Sequence, residues 1–171
     1  MNTRLLKISL ALLVTICGPA FAQSSFSTYI GGTFYRYEEA YLLTGVTYLA
    51  TMPEQMELSI GADFGIATDE GPSGETLPRF FIPVNAGINF SFPGNTLTFY
   101  FGPGLSPVFA FRPGTDDQFT FLLGPYAKVG IRLRVHSIMS IIVEAQQDLL
   151  LGGPKWVNTA TRIRGGIEFS L

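Results

Sequence analysis

The chain has 171 residues, enough for one domain, and carries 14% charged against 47% hydrophobic residues, where soluble domains average roughly 25% charged. Its 19 Gly, 11 Pro, 15 Phe and 7 Tyr speak against an all-helical protein, because Gly and Pro interrupt helices while aromatics suit a pleated surface. Setting aside Arg4 and Lys7 of the leading segment leaves 9 of the 11 basic residues against 13 acidic ones, a net charge of −4, so no basic footprint for nucleic acid is present.

The first residues have the three parts of an export signal. Arg4 and Lys7 form the positive end, Ile8 to Ile16 the apolar run, and Ala20-Phe21-Ala22 the small-x-small cleavage site before Gln23. The run is shorter than the roughly 20 residues of a spanning helix, so residues 1–22 are expected to be removed and 23–171 to form the mature domain. Cys17, the only cysteine, follows Ile16 and not the small residue that a lipid anchor wants. The mature part therefore has no thiol for a disulfide or a Cys metal site.

Beyond residue 22 the chain divides into about eight segments with a period of two, the signature of strands. Phe26–Tyr37 and Tyr41–Met52 come first, with Tyr, Thr and Gly on both parities. The cleanest is Met56–Ile66, where Met56, Leu58, Ile60, Ala62, Phe64 and Ile66 alternate with Glu57, Ser59, Gly61, Asp63 and Gly65. Next, Ile82, Val84, Ala86, Ile88 and Phe90 alternate with Pro83, Asn85, Gly87 and Asn89, and Leu97–Phe109 follows. Phe121, Leu123, Ala127, Val129, Ile131 and Leu133 then oppose Gly124, Tyr126, Lys128, Gly130 and Arg132. Met139, Ile141, Val143 and Ala145 oppose Ser140, Glu144 and Gln146. Last, Ile163, Gly165, Ile167, Phe169 and Leu171 oppose Arg162, Arg164, Gly166, Glu168 and Ser170.

The connections alternate between tight (Met52–Gln55, Ser91–Asn95, Arg134–Ser137) and longer ones rich in Gly, Pro and acids (Ala67–Arg79, Ala110–Gln118, Leu149–Thr159), with Tyr37–Ala40 an unusually short outer loop. An up-and-down transmembrane meander has this asymmetry, with short periplasmic turns and longer extracellular loops. The fold expected is all-β: an eight-stranded antiparallel barrel with a filled polar lumen.

Strand charges decide which face meets lipid. Glu57, Asp63, Lys128, Arg132, Glu144, Arg162, Arg164 and Glu168 all lie opposite the apolar set of their own strand. A Lys or Arg facing lipid at mid-membrane costs roughly 2–4 kcal/mol, so this segregation is what a bilayer demands. A lipocalin-like soluble binder uses the same alternation with inside and outside exchanged, but would carry a more highly charged surface. An eight-stranded barrel is just wide enough to be filled by side chains, so the eight charges are expected to pair across the lumen. Inward Gly61, Gly65, Gly87, Gly124, Gly130 and Gly166 would leave room for long Arg and Tyr side chains.

These strands, with a terminal Ile163–Leu171 of alternating apolar residues, resemble the small eight-stranded outer-membrane barrels of the OmpA/OmpX type. Here Leu171 stands last and Phe169 two before it, a departure from the aromatic end of that family. The resemblance implies an outer-membrane location, contact with lipid and lipopolysaccharide, and a structural, envelope-integrity or loop-mediated role with a possible protein partner at the outer loops. The peptidoglycan-gripping role of some members rests on a further soluble domain and is not carried over. A narrow porin-like channel for ions or small solutes is the alternative function.

Other chemistry finds little support. Lipid A deacylases of this size use a His-x-Ser pair with an acid, whereas His136 is followed by Ser137 and Ile138 in an expected periplasmic turn, so no enzyme is expected. One His, no Cys and scattered carboxylates make no metal cluster, and no cofactor is implied. Asp69, Glu70, Glu75, Asp116 and Asp117 form acidic loop tips. If Leu97–Phe109 and Phe119–Leu133 pair about Gly114, then Pro103 of Gly102-Pro103-Gly104 and Pro125 of Gly124-Pro125-Tyr126 face each other. Because Pro donates no N–H to a ladder, a lateral bend or gap is expected there.

Overall fold

The structure is a computed structural model that describes residues 24–70, 74–113, 118–153 and 155–171. Its strands are β1 (Ser24–Tyr35), β2 (Glu39–Met52), β3 (Met56–Glu70), β4 (Thr76–Pro93), β5 (Leu97–Phe111), β6 (Phe119–His136), β7 (Met139–Leu151) and β8 (Val157–Ser170). Each pairs antiparallel with the next, and β8 closes on β1. Closure removes the unpaired sheet edge that hydrocarbon cannot solvate. The leading segment 1–22 and the acidic residues Asp116 and Asp117 lie outside the described residues.

Side-chain parity follows the sequence pattern. In β3 the odd residues from Glu57 to Gly65 turn inward, and Ile60, Phe64 and Ile66 turn outward. In β6 and β8 the even residues turn inward, burying Lys128, Arg162, Arg164 and Glu168. In β1 and β2, where the sequence leaves the faces open, the odd residues are inside, among them Tyr29, Thr33, Tyr41, Leu43 and Thr47. Thirteen of the 14 phenylalanines after residue 22 have outward parity, Phe81 being the exception. Ile30, Leu105 and Val129 are 65%, 57% and 59% exposed. So continuous an apolar exterior suits hydrocarbon and not water. With the charges inside, the inside-out soluble barrel is excluded.

The strands run further than the sequence suggests. Glu70 pairs with Thr76, Phe111 with Phe119 and Leu151 with Val157, so the outer loops shrink to residues 36–38, 71–75, 112–118 and 152–156. The polar residues of 67–70 look like loop by composition, but each finds a partner on β4, and an available ladder overrides a weak local propensity. The opposite end has tight turns at 53–55, 94–96 and 137–138.

The proline register differs from expectation. Pro103 lies opposite Ala127 and Pro125 opposite Leu105, and the β5–β6 pairing is unbroken from Leu97↔Leu133 to Phe111↔Phe119. No lateral gap opens at that seam. The interruptions fall on the other side of each proline. The β4–β5 pairing skips from Pro83↔Val108 to Ala86↔Leu105 and from Gly87↔Gly104 to Phe90↔Phe101, leaving out the positions opposite Pro107 and Pro103. The β6–β7 pairing skips Pro125 in the same way. Alternate residues of a strand point their N–H groups to the same neighbour, so Pro103 and Pro107 both withhold a donor from β4.

Candidate functional site

The lumen is built in three layers. At the centre lie Asp63 of β3, Lys128 of β6, Glu144 and Asp148 of β7, and Arg162 and Arg164 of β8, each at most 3% exposed. Arg162 spans the barrel. Its Nη1 donates to Asp63 Oδ2 at 3.0 Å, its Nε to Asp148 Oδ2 at 3.0 Å, and its Nη2 to Asn85 Oδ1 at 2.9 Å and Ser106 Oγ at 3.2 Å. Two residues on, Arg164 donates from Nη1 to Asp63 Oδ2 at 2.7 Å and from Nε to Glu144 Oε1 at 2.8 Å. Its guanidinium also lies 4.5 Å from the centre of the Tyr29 ring. Lys128 Nζ donates to Ser59 Oγ at 3.0 Å and lies 3.5 Å from Glu144 Oε2, which also accepts from Tyr100 Oη at 3.0 Å. Three acids thus meet three bases, and the planar guanidinium forks supply enough donors to tie strands on opposite walls.

Glycine makes the space for this layer. A Cβ on Gly130 would stand 2.3 Å from Tyr100 Cζ, and one on Gly104 at 2.3 Å from Tyr126 Cζ, while Gly87 would meet Tyr126 Oη at 2.4 Å. Of the six inward glycines in the sequence pattern, Gly87 and Gly130 therefore accommodate tyrosines. Gly61 and Gly65 face Thr47 and Leu43, and Gly124 and Gly166 face backbone of β7 and β1. Room beside Arg164 comes from Gly31, whose Cβ would lie 2.7 Å from Arg164 Cβ.

The second layer lies toward the end where β1 begins. Arg132 of β6 holds Glu57 with two hydrogen bonds of 2.9 and 3.1 Å, and its Nε lies 3.0 Å from Glu168 Oε1. Here two carboxylates share one guanidinium. Above them a polar cup of about 430 Å³ opens at the mouth of the barrel.

The outer layer is apolar. Tyr35, Tyr41, Phe81, Val108, Ala110, Leu122, Leu150 and Ala160 form one buried cluster. In it the Phe81 ring lies 5.5 Å from Tyr35 and 5.4 Å from Tyr41. At the rim, Glu39 accepts from Tyr41 Oη at 2.8 Å and pairs with Arg79 at 3.3 Å and with Arg112. Partial burial works against the charge on Arg112, but the Glu39 carboxylate outweighs it and raises its pKa.

All eight charges singled out from the sequence thus meet inside the lumen. Asp148 escaped notice because Gln146 and Gln147 are polar on both parities, which hides the alternation. Its even spacing from Ser140 and Glu144 is the signal that would have found it. The inward apolar residues Leu122, Ile142 and Leu150 were likewise not anticipated. Pro103 and Pro125 both have outward parity. His136 is the last residue of β6, exposed beside the 137–138 turn, its Nδ1 3.3 Å from Ser137 Oγ. Among the described residues no cluster of His, Cys, Asp and Glu could hold a metal ion.

A closed eight-stranded meander with an apolar exterior and a charged interior is the fold of the small outer-membrane β-barrels. Neisserial surface protein A shares it with a TM-score of 0.69 and 9% identity, over 86% of this chain and 95% of that one. Ail, the attachment invasion locus protein of Yersinia pestis, solved with the heparin analogue sucrose octasulfate, gives a TM-score of 0.64 and 10% identity over 87% and 98%. The N-terminal β-barrel domain of Pseudomonas aeruginosa OprF gives 0.59 and 12% over 89% and 99%. No protein-family model matches the chain, and no curated protein matches it by sequence.

Proposed function

We propose that this chain is a bacterial outer-membrane protein, exported through a cleaved segment at residues 1–22. In this reading its mature barrel, residues 23–171, serves envelope integrity or presents its outer loops to lipopolysaccharide or a protein partner. It catalyses no reaction and uses no cofactor. The observation that carries this reading is a lumen closed twice over, by the Arg162–Asp63–Arg164 cross-ties and by the apolar layer around Phe81. A barrel stoppered in this way has its useful surfaces outside. Tyr37 and Trp156, 72% and 77% exposed on the loops opposite the chain ends, are the apolar groups best placed to meet lipopolysaccharide or a partner.

Membrane fractionation with heat-dependent migration in detergent gels tests the location: the protein is expected in the outer-membrane fraction, migrating faster before boiling than after. Recovery from the aqueous periplasm would end the proposal. Conductance in planar bilayers separates the stoppered barrel from the narrow channel. No unitary steps are expected, and steady steps would favour the channel. Lipid A mass spectra are expected to stay unchanged on overexpression.

A further inference from the structure

The polar cup at the mouth formed by the start of β1 and the end of β8 has a charge pattern that the closed lumen leaves unused. The central layer is neutral, with Asp63, Glu144 and Asp148 against Lys128, Arg162 and Arg164. The floor of the cup is not, because Glu57 and Glu168 share Arg132 alone. The floor thus carries one surplus negative charge on carboxylates that line the cup, and asks for a cationic donor. At the rim the position is reversed. Arg134 lines the cup, is exposed, and forms no ion pair among the described residues. Between floor and rim the wall carries hydroxyls, including those of Thr98, Ser140 and Ser170.

We propose that this cup binds a small zwitterion of the amino-acid or dipeptide class, with its ammonium group on Glu168 and Glu57 and its carboxylate on Arg134. The volume of about 430 Å³ falls in the range of small-ligand sites. A bare metal ion would leave most of it empty, and an anion alone would meet the acidic floor. The floor supplies acceptors for ammonium N–H groups, and the guanidinium fork matches a carboxylate.

The test uses the refolded barrel in detergent micelles and three probes. Glycylglycine carries both charges, N-acetylglycylglycine lacks the ammonium, and glycylglycine amide lacks the carboxylate. Binding is read from amide chemical shifts of Thr98, Arg132 and Ser140. Glycylglycine is expected to bind about tenfold more tightly than either capped form. Glu168→Gln is expected to erase the preference over the acetylated probe, and Arg134→Gln the preference over the amide. Arg134 is exposed, so its variant keeps the fold. Ser140→Leu, which fills the cup without changing its charge, is expected to abolish binding if Glu168→Gln disturbs folding. Equal affinity for the three probes, preferences that survive both charge changes, or no shift at cup residues would overturn the proposal.

Discussion

Arg162 is the most informative single residue. It is wholly buried and touches Asp63, Asn85, Ser106 and Asp148, so its removal leaves the buried Asp148 without a cation, while Asp63 keeps Arg164. Arg162→Ala is expected to lower unfolding stability in lipid vesicles by about 3–5 kcal/mol, the usual cost of leaving a buried charge unpaired. Lys at this position is expected to recover little of that, because an ammonium lacks the guanidinium fork. A urea midpoint equal to that of the parent protein would show that the cross-ties contribute nothing. Gly130 offers a second test at this scale. The three atoms nearest to an added Cβ all belong to Tyr100, so Gly130→Ala is expected to cost about 1–3 kcal/mol through overpacking. In a Tyr100→Ala background that cost should vanish, and a double-mutant cycle reads the difference.

Among the elements, β5 departs furthest from its expected behaviour. The sequence shows two Gly-Pro pairs and makes a weak place between β5 and β6 reasonable, but which neighbour loses the hydrogen bond depends on the direction in which each proline nitrogen points. That direction follows from the face each proline takes on its strand, because residues of one parity all point their N–H groups to one neighbour, and the sequence leaves the faces of Leu97–Phe109 open. Pro103→Val is therefore expected to raise hydrogen-exchange protection in β4 around Ile88 while leaving β6 around Ala127 unchanged. Increased protection on the β6 side alone would mean that the register has been misassigned. The same distinction explains what was legible elsewhere. Parity in β3, β4, β6 and β8 could be read because charges and aliphatics alternate strictly, as in Met56–Ile66. It could not be read in β1 and β2, where Thr, Tyr and Gly tolerate either face, nor at the outer ends of β3 and β7, where polar residues such as Asp69 and Gln147 look like loop.

For the molecule as a whole, the sequence pattern reaches the closed barrel and all eight expected lumen charges. It misses the apolar outer layer, because Phe81, Leu122 and Leu150 each sit beside an outward apolar neighbour, and a run of apolar residues carries no parity. The assignment of outside and inside has a direct test. Val129 and Lys128 are adjacent in β6, the first 59% exposed and the second 3%. Val129→Arg is expected to destabilise the barrel in vesicles by about 2–4 kcal/mol, the cost of a cation facing mid-membrane hydrocarbon. A surface in contact with water would accept that substitution within about 0.5 kcal/mol.

The even match of acids and bases in the middle of the barrel bears on voltage. A potential across a membrane does work on displaced charge, roughly 2.3 kcal/mol per elementary charge per 100 mV. With Asp63, Glu144 and Asp148 tied to Lys128, Arg162 and Arg164, the pull on one sign is cancelled by the push on the other. The layer has no net charge to drive along the axis, so an applied field should neither shift it nor unlock it.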